Sequence, residues 1–348
     1  MTNTATYDTE RTTAVAAVER AARLCRRVRE SLVSDETLSK TDRSPVTIAD
    51  FGSQAVVNLA LAAAFPADGI VAEEESGVLR KADNAALREK VMQCVWEARP
   101  DLAGREEPVL TAIARGNAPG GRGRFWTLDP IDGTKGFLRN DQYAVALALI
   151  EDGEIVLGVM GCPNLPVDPA CPDGAAGCLF YAVRGQGAYV RAMDASGEAS
   201  IRVTDTADPA DAVLCESFES AHTAHDASAD VARRLGIRRD PVRMDSQCKY
   251  AALARGQGSV YLRLPTRPGY QEKIWDHAAG VAVIRAAGGR VTDTSGRELD
   301  FTRGRTLQGN EGIIATNGAL HAPVLDAVAA VREQDKGMHH GRLGKATR

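Results

Sequence analysis

Two apolar runs, residues 143–150 and 154–160, are joined by a short segment carrying Asp152-Gly153. Asp-Gly accepts the positive φ angles of a two-residue hairpin turn, so these runs lie side by side as antiparallel strands. A second pair, 179–183 and 188–191, repeats the arrangement around Arg184-Gly185-Gln186-Gly187. Residues 125–128 read as another strand and 70–72 as a short buried one. Ala14, Val15, Val18, Ala21, Ala22, Cys25, Val28 and Leu32 recur at three to four residues and predict a long helix. Thr47 and Asp50 have capping-box spacing, which predicts a helix opening there and stopping before Pro66. Residues 83–96 read as a further helix and 100–123 as loop. The first half thus reads as helices flanking an antiparallel sheet.

Beyond about Asp205 the pattern changes. Short strands (213–216, 242–244, 260–264, 312–315) alternate with helical patterns (226–235, 247–255, 275–287, 318–331), predicting a parallel or mixed sheet with helices packed on it. The expected organisation is a domain over 1–204, a second over 205–331 and a flexible polar tail over 332–348. A length of 348 residues suits that division.

Charge and composition exclude several function classes. The net charge of −4 argues against a general nucleic-acid binder, though not against a small anionic substrate met by a local cluster of Lys and Arg. No continuous apolar run reaches the roughly 18 residues of a membrane span, so no membrane association is expected. The polar first ten residues carry no apolar signal core. Seven cysteines without a C-x-x-C motif read as reduced thiols in a cytoplasmic protein, with a Cys171/Cys178 bridge or metal site as the alternative. A monomer is expected.

The chemistry concentrates in Asp129-Pro130-Ile131-Asp132-Gly133-Thr134, where the 125–128 strand ends. Two carboxylates three residues apart can converge with the Ile131 carbonyl on one point. Oxygen-only donors suit a hard divalent cation such as Mg2+. An Asp-Pro turn with solvated carboxylates has the same sequence. Three more acidic sites bear on the choice. Glu73 and Glu74 follow the 70–72 strand, Asp276 follows Trp275 at the opening of an apolar helix, and Asp42 lies in Lys40-Thr41-Asp42-Arg43-Ser44-Pro45-Val46-Thr47. Taken singly, these read as a charged surface run, a helix cap and a loop carboxylate.

Together, in this order, the segments resemble the lithium-sensitive, Mg2+-dependent inositol monophosphatase-like phosphatases. Ser44-Pro45-Val46-Thr47, Lys135-Gly136-Phe137, Asp245-Ser246-Gln247-Cys248-Lys249-Tyr250 and Gln271-Glu272-Lys273-Ile274-Trp275-Asp276-His277 are similar to the 3'(2'),5'-bisphosphate nucleotidase branch. The resemblance runs over about 9–331. It implies an α/β (α+β) fold, a layered α-β-α-β-α sandwich. It implies two to three Mg2+ ions: one on Glu73, Asp129 and the Ile131 carbonyl, a second on Asp129, Asp132 and Asp276, and a weaker third near Glu73. Asp42 and Thr134 are the implied pair that orients and deprotonates the attacking water. Gly133, Thr134, His222, Ser246, Lys249, Arg263 and Asp276 are the implied substrate contacts. The implied substrate is a phosphorylated nucleotide, adenosine 3',5'-bisphosphate, with its 2',5' isomer and its sulphated form as further candidates. An inositol or fructose-1,6-bisphosphate phosphatase of the same fold, and a nucleotide sensor without turnover, are the competing readings. The resemblance also implies inhibition by Li+. The chain departs from it at Glu75, where Asp is common, and in a Pro- and Cys-containing loop over 162–178. His277 is expected to serve structure at the start of its helix.

Overall fold

A computed structural model describes residues 6–34, 44–218, 225–267 and 269–343. The chain forms α1 (Asp8–Ser34), α2 (Ser44–Ala64), β1 (Gly69–Ala72), α3 (Ala85–Ala98), α4 (Glu106–Ala114), β2 (Arg124–Asp132) and α5 (Thr134–Arg139). Then follow β3 (Ala144–Glu151), β4 (Glu154–Pro166), β5 (Ala176–Val183), β6 (Gly187–Ala192) and β7 (Glu198–Ile201). The remaining elements are β8 (Leu214–Glu216), α6 (His225–Leu235), β9 (Val242–Arg243), α7 (Cys248–Ala254), β10 (Val260–Arg263), α8 (Ala278–Ala286), β11 (Arg290–Thr292), β12 (Ile313–Thr316) and α9 (His321–Leu343).

Strands β1 to β7 form one sheet in sequence order, and a second sheet has the order β11-β12-β10-β8-β9. Helices α1 and α2 cover one face of the first sheet, and α7 and α8 lie between the two sheets. Helix α9 covers β12, with α6 beside it. Three buried apolar clusters fill the spaces between these five layers. Strand alternation sorts the side chains: Val145, Leu147 and Leu149 of β3 face α1 and α2, whereas Ala144, Ala146 and Ala148 face α8. The small residues on that inner face let α8 approach closely, and a Cβ on Gly158 would meet the Ala282 Cβ at 2.6 Å. The layered sandwich agrees with the expectation from sequence.

Asp152 and Gly153 both have positive φ, 50° and 89°, as a hairpin of the primed class requires. The first sheet is antiparallel except at its edge. There β1 runs parallel to β2, because α3 and α4 lie between them and supply the crossover that parallel strands need. Helix α4 falls in the stretch expected to be loop. It is short, and its Pro108 sits in the first turn, where a missing N–H costs nothing. Strands β7 and β11, of four and three residues, also escaped the sequence pattern. The second sheet is mixed, with β8 parallel to β9 and β10, and β12 antiparallel to β10 and β11.

Two expectations about helix ends need correction. Helix α2 begins at Ser44, so Thr47-Asp50 is no capping box; Pro45 sits in the first turn instead, where proline is favoured. Asp50 therefore falls inside the helix and is buried. The segment Val46–Ala64 of that helix is long and apolar enough to cross a membrane, with mean hydropathy 1.3, yet 67% of it is buried within the protein. Its composition is that of a helix packed on several sides. Finally, the tail expected from 332 continues α9 as far as Leu343. A helix already fixed by packing of Val324, Val328 and Val331 extends at little further cost. The loop expected over 162–178 is shorter: Cys162 lies on β4 and pairs with Cys178 on β5, and only 167–175 connect the strands. All seven cysteines are free thiols; Cys171 is exposed in that connection and Cys178 is buried.

Candidate active site

The parallel register of β1 and β2 sets the first part of the site. Ala72 lies opposite Leu128, so the next residues, Glu73 and Asp129, come together where β1 ends, while β2 continues to Asp132. Between Asp129 and Asp132 the pairing with β3 slips by one residue. This bulge turns the chain so that Asp132 also faces the cavity, with Ile131 between them. Helix α2 braces the turn. Ser53 Oγ donates to the Pro130 carbonyl at 2.9 Å, and the Gln54 side chain bonds both the N–H and the carbonyl of Glu74.

The second sheet and its helices close the other side. The backbone N–H of Gln247 donates to Asp132 Oδ2 at 2.6 Å, and the Gln247 amide donates to the Trp275 carbonyl at 2.9 Å. Gln247 thereby fixes Asp132 relative to the residue before Asp276. Gly133 has φ 89°, and a Cβ there would come within 2.8 Å of the Ser246 Cβ. Only glycine allows these two loops to touch in this conformation.

One cavity of about 210 Å3 results. Its walls include Glu73, Asp129, Ile131, Asp132, Gly133 and Thr134, and, from the second half, Ser246, Lys249, Arg263 and Asp276. Asp42 and His222 lie outside the described residues.

The charges on the acidic side perturb one another. Asp129 is 2% exposed, and its Oδ1 has no hydrogen-bond partner. Burial holds its pKa well above the usual carboxylate range, and the charges of Glu73, Asp132 and Asp276 add to the effect. Glu73 reaches solvent within the cavity. Even so, desolvation by the cavity walls, followed by the charges of Asp276, Glu74 and Asp132, pushes its pKa up to about 8. Asp276 is raised to about 6, chiefly by burial, with Arg263 and His277 opposing the shift. Carboxylates that raise each other's pKa, one with an orphaned buried oxygen, fit a divalent cation: the ion would supply the missing partner and the missing charge.

The opposite wall is cationic. Lys249 is buried on α7, with Nζ 3.3 Å from the Met244 carbonyl and 5.3 Å from the centre of the Tyr261 ring. Burial lowers its pKa, while Asp132 and Asp245 oppose that. Arg263, at the end of β10, pairs with Glu272 at 2.8 Å and Asp276 at 3.4 Å. Tyr261 and Tyr270 line the cavity beside it. Ser246 has φ 66°, and its Oγ accepts from the Cys248 N–H.

For four supporting residues the sequence predicts no part in the site. Asp50 is buried; burial, followed by the charges of Glu74 and Glu73, raises its pKa well above the usual carboxylate range, and its own charge adds to the rise at Asp129. A carboxylate inside an otherwise apolar helical stretch was the available signal. Arg305 donates to the carbonyls of Ala72 at 2.6 Å and of Gly116 and Ala118 at 3.2 Å. Nothing in Arg303-Gly304-Arg305-Thr306 distinguishes it from a surface arginine. Asp245 pairs with Arg139 of α5. Glu272 contacts both Arg263 and His277.

The model of the inositol monophosphatase family matches residues 6–333 of this chain. The chain belongs to that family. A 3'(2'),5'-bisphosphate nucleotidase of Oryza sativa is 46% identical over 346 residues, covering 95% of this chain and 96% of that protein. One of Emericella nidulans is 45% identical over 350 residues, covering 93% and 99%. Among solved structures, an inositol monophosphatase from Zymomonas mobilis superposes with a TM-score of 0.60 at 22% identity, over 94% of this chain and 100% of that one. At that identity the likeness speaks to the fold. The family is generally metal-dependent, which agrees with the acidic side of the cavity.

Proposed function

We propose that this chain is a Mg2+-dependent 3'(2'),5'-bisphosphate nucleotidase that hydrolyses adenosine 3',5'-bisphosphate to AMP and phosphate. The observation that carries the reading is the joining, in one cavity, of an acidic wall and the cations Lys249 and Arg263. A doubly phosphorylated substrate needs both: metal at the ester that is cleaved and protein cations at the phosphate that is kept. Relatives at about 45% identity over nearly the whole chain are 3'(2'),5'-bisphosphate nucleotidases.

Glu73, Asp129, Asp132, Asp276 and the Ile131 carbonyl would hold two or three ions. Ions held there would lower the pKa of water and offset charge on the ester oxygens. The protein's own part is placement. Thr134, just beyond the Asp129–Asp132 bulge of β2, orients the attacking water, and Asp42 accepts its proton. Lys249 and Ser246 bind the retained phosphate, and Arg263 and His222 orient the nucleotide. Holding the ester in line for attack supplies a large share of such rate enhancements.

The test is phosphate release from adenosine 3',5'-bisphosphate, its 2',5' isomer, inositol 1-phosphate and fructose 1,6-bisphosphate, with Mg2+ and with EDTA. The highest kcat/KM is expected on a bisphosphonucleotide, with turnover abolished by EDTA. A higher kcat/KM on inositol 1-phosphate would overturn the substrate assignment. Nucleotide binding without turnover would overturn the enzyme reading.

A further inference from the structure

Arg263 Nη2 stands between two carboxylates, 2.8 Å from Glu272 Oε2 and 3.4 Å from Asp276 Oδ2. The sharing is unequal, and the surroundings of Glu272 explain why. The same Oε2 lies 3.2 Å from His277 Nε2. His277 Nδ1 lies 2.8 Å from the Tyr250 hydroxyl. With a proton on Nε2 the imidazole donates to Glu272, and its Nδ1 meets the Tyr250 hydroxyl. Tyr250 is seated in the notch left by Gly280, where an added Cβ would come within 2.3 Å of its ring. The Glu272 carbonyl accepts from the Leu307 N–H at 2.8 Å, so its backbone is tied as well. Glu272 is thus held from α7 through α8, and its carboxylate has little freedom to leave Arg263.

We propose that Glu272 is a positioning residue that holds the Arg263 guanidinium off Asp276, keeping Asp276 available as a metal ligand. Glu272, Asp276 and His277 come close enough to one another to suggest an ion site of their own. The Glu272 oxygen that would serve it already accepts from Arg263 and faces His277, so the cluster is better suited to holding a guanidinium. If the Glu272 charge is removed, Asp276 is the remaining carboxylate that Arg263 contacts. A buried cation deprived of its partner moves toward the next anion, because an unpaired buried charge is expensive. A guanidinium seated fully on Asp276 cancels the charge that a divalent ion needs. This inference rests on the metal site proposed above.

Direct Mn2+ binding to the full chain without substrate, followed by calorimetry, tests it in wild type, Glu272→Gln, Arg263→Met and the double variant. Glu272→Gln is expected to weaken binding about 10-fold or more, the scale seen when a support behind a metal ligand is lost. Arg263→Met alone should bind nearly as wild type does. The double variant should recover wild-type affinity, because the competing guanidinium is gone. A merely structural role for Glu272 would give no such recovery. Should Glu272→Gln fail to fold, Glu272→Asp withdraws the carboxylate by one methylene and should weaken binding in the same direction. Unchanged Mn2+ affinity in the Glu272 variant, or a double variant that stays weak, would overturn the proposal. Asp276→Asn separates the two levels of argument. Undiminished Mn2+ binding there would mean that the metal site itself is wrongly assigned, whatever Glu272 does.

Discussion

Arg305 lies over the Trp275 ring, 4.9 Å from its centre, while its guanidinium bonds the carbonyl of Ala72 at 2.6 Å. The residues after these two are Asp276 and Glu73. One side chain from the second half of the chain therefore sets the spacing between acidic residues that begin on different layers. The Gln247 bridge from Asp132 to Trp275 does the same from the other direction. The acidic wall is thus an inter-layer construction, and its geometry depends on how the layers dock.

Replacing Arg305 with Met should expose that dependence. The apolar stem can still cover Trp275, but three carbonyls lose a donor, and of these Gly116 keeps the Ala72 N–H, at a cost of about 1–3 kcal/mol. Mn2+ affinity is expected to fall about 10-fold as the acidic residues drift apart. Calorimetry and a thermal melt read the two effects separately. A lowered melting temperature with unchanged Mn2+ affinity would show that Arg305 serves stability alone.

Gly133→Ala places a methyl group against Ser246 at a left-handed backbone position. The conformation alone costs about 1–2 kcal/mol. The larger effect is expected on turnover, because Thr134 follows directly and a displacement near 1 Å can cost roughly 100-fold. Steady-state kinetics should show kcat falling by at least about 10-fold with a modest change in melting temperature. Wild-type kcat would show that the Gly133–Ser246 contact does not place Thr134.

Lys249→Ala removes a buried cation from the wall opposite the carboxylates. A charge-assisted bond to the retained phosphate is worth about 1.5–3 kcal/mol, so KM for the bisphosphate should rise roughly 10- to 100-fold. A nucleoside monophosphate lacking that phosphate should be affected far less. Equal losses on both substrates would contradict the assigned contact.

The raised carboxylates fix the sign of the pH dependence. Glu73 near 8 and Asp276 near 6 hold protons in the metal-free fold that the unfolded chain, at 4.5 and 3.8, has released. Between these limits the folded state binds more protons, so metal-free stability falls as pH rises from about 4 to 8. Metal must displace the same protons, so its affinity rises over pH 6 to 8. Melting curves from pH 5.5 to 8.5 should show the Mg2+-induced gain growing with pH. A pH-independent gain would contradict the electrostatic account of the cavity.

Much of this was legible in the sequence, and the exceptions have physical reasons. Hairpins carried by Asp152-Gly153 and Gly185 to Gly187 are local, so their signal is complete within a few residues. The Asp129–Thr134 segment was readable because its spacing alone restricts where the oxygens point. Thr47-Asp50 misled because the capping pattern competed with Ser44-Pro45, which opens α2 one turn earlier. Arg305 and Glu272 could not be assigned roles because their partners, Ala72 and Arg263, are brought to them only by docking of the layers. Asp50 was visible as a carboxylate in an apolar stretch, but its burial follows from the packing of α2 against β2.

The most direct test of the central claim is anomalous diffraction from crystals soaked in Mn2+. Two or more peaks are expected inside the cavity, each within coordination distance of oxygens from Glu73, Asp129, the Ile131 carbonyl, Asp132 or Asp276, with Asp129 shared. Peaks elsewhere on the surface, with none among these residues, would contradict it.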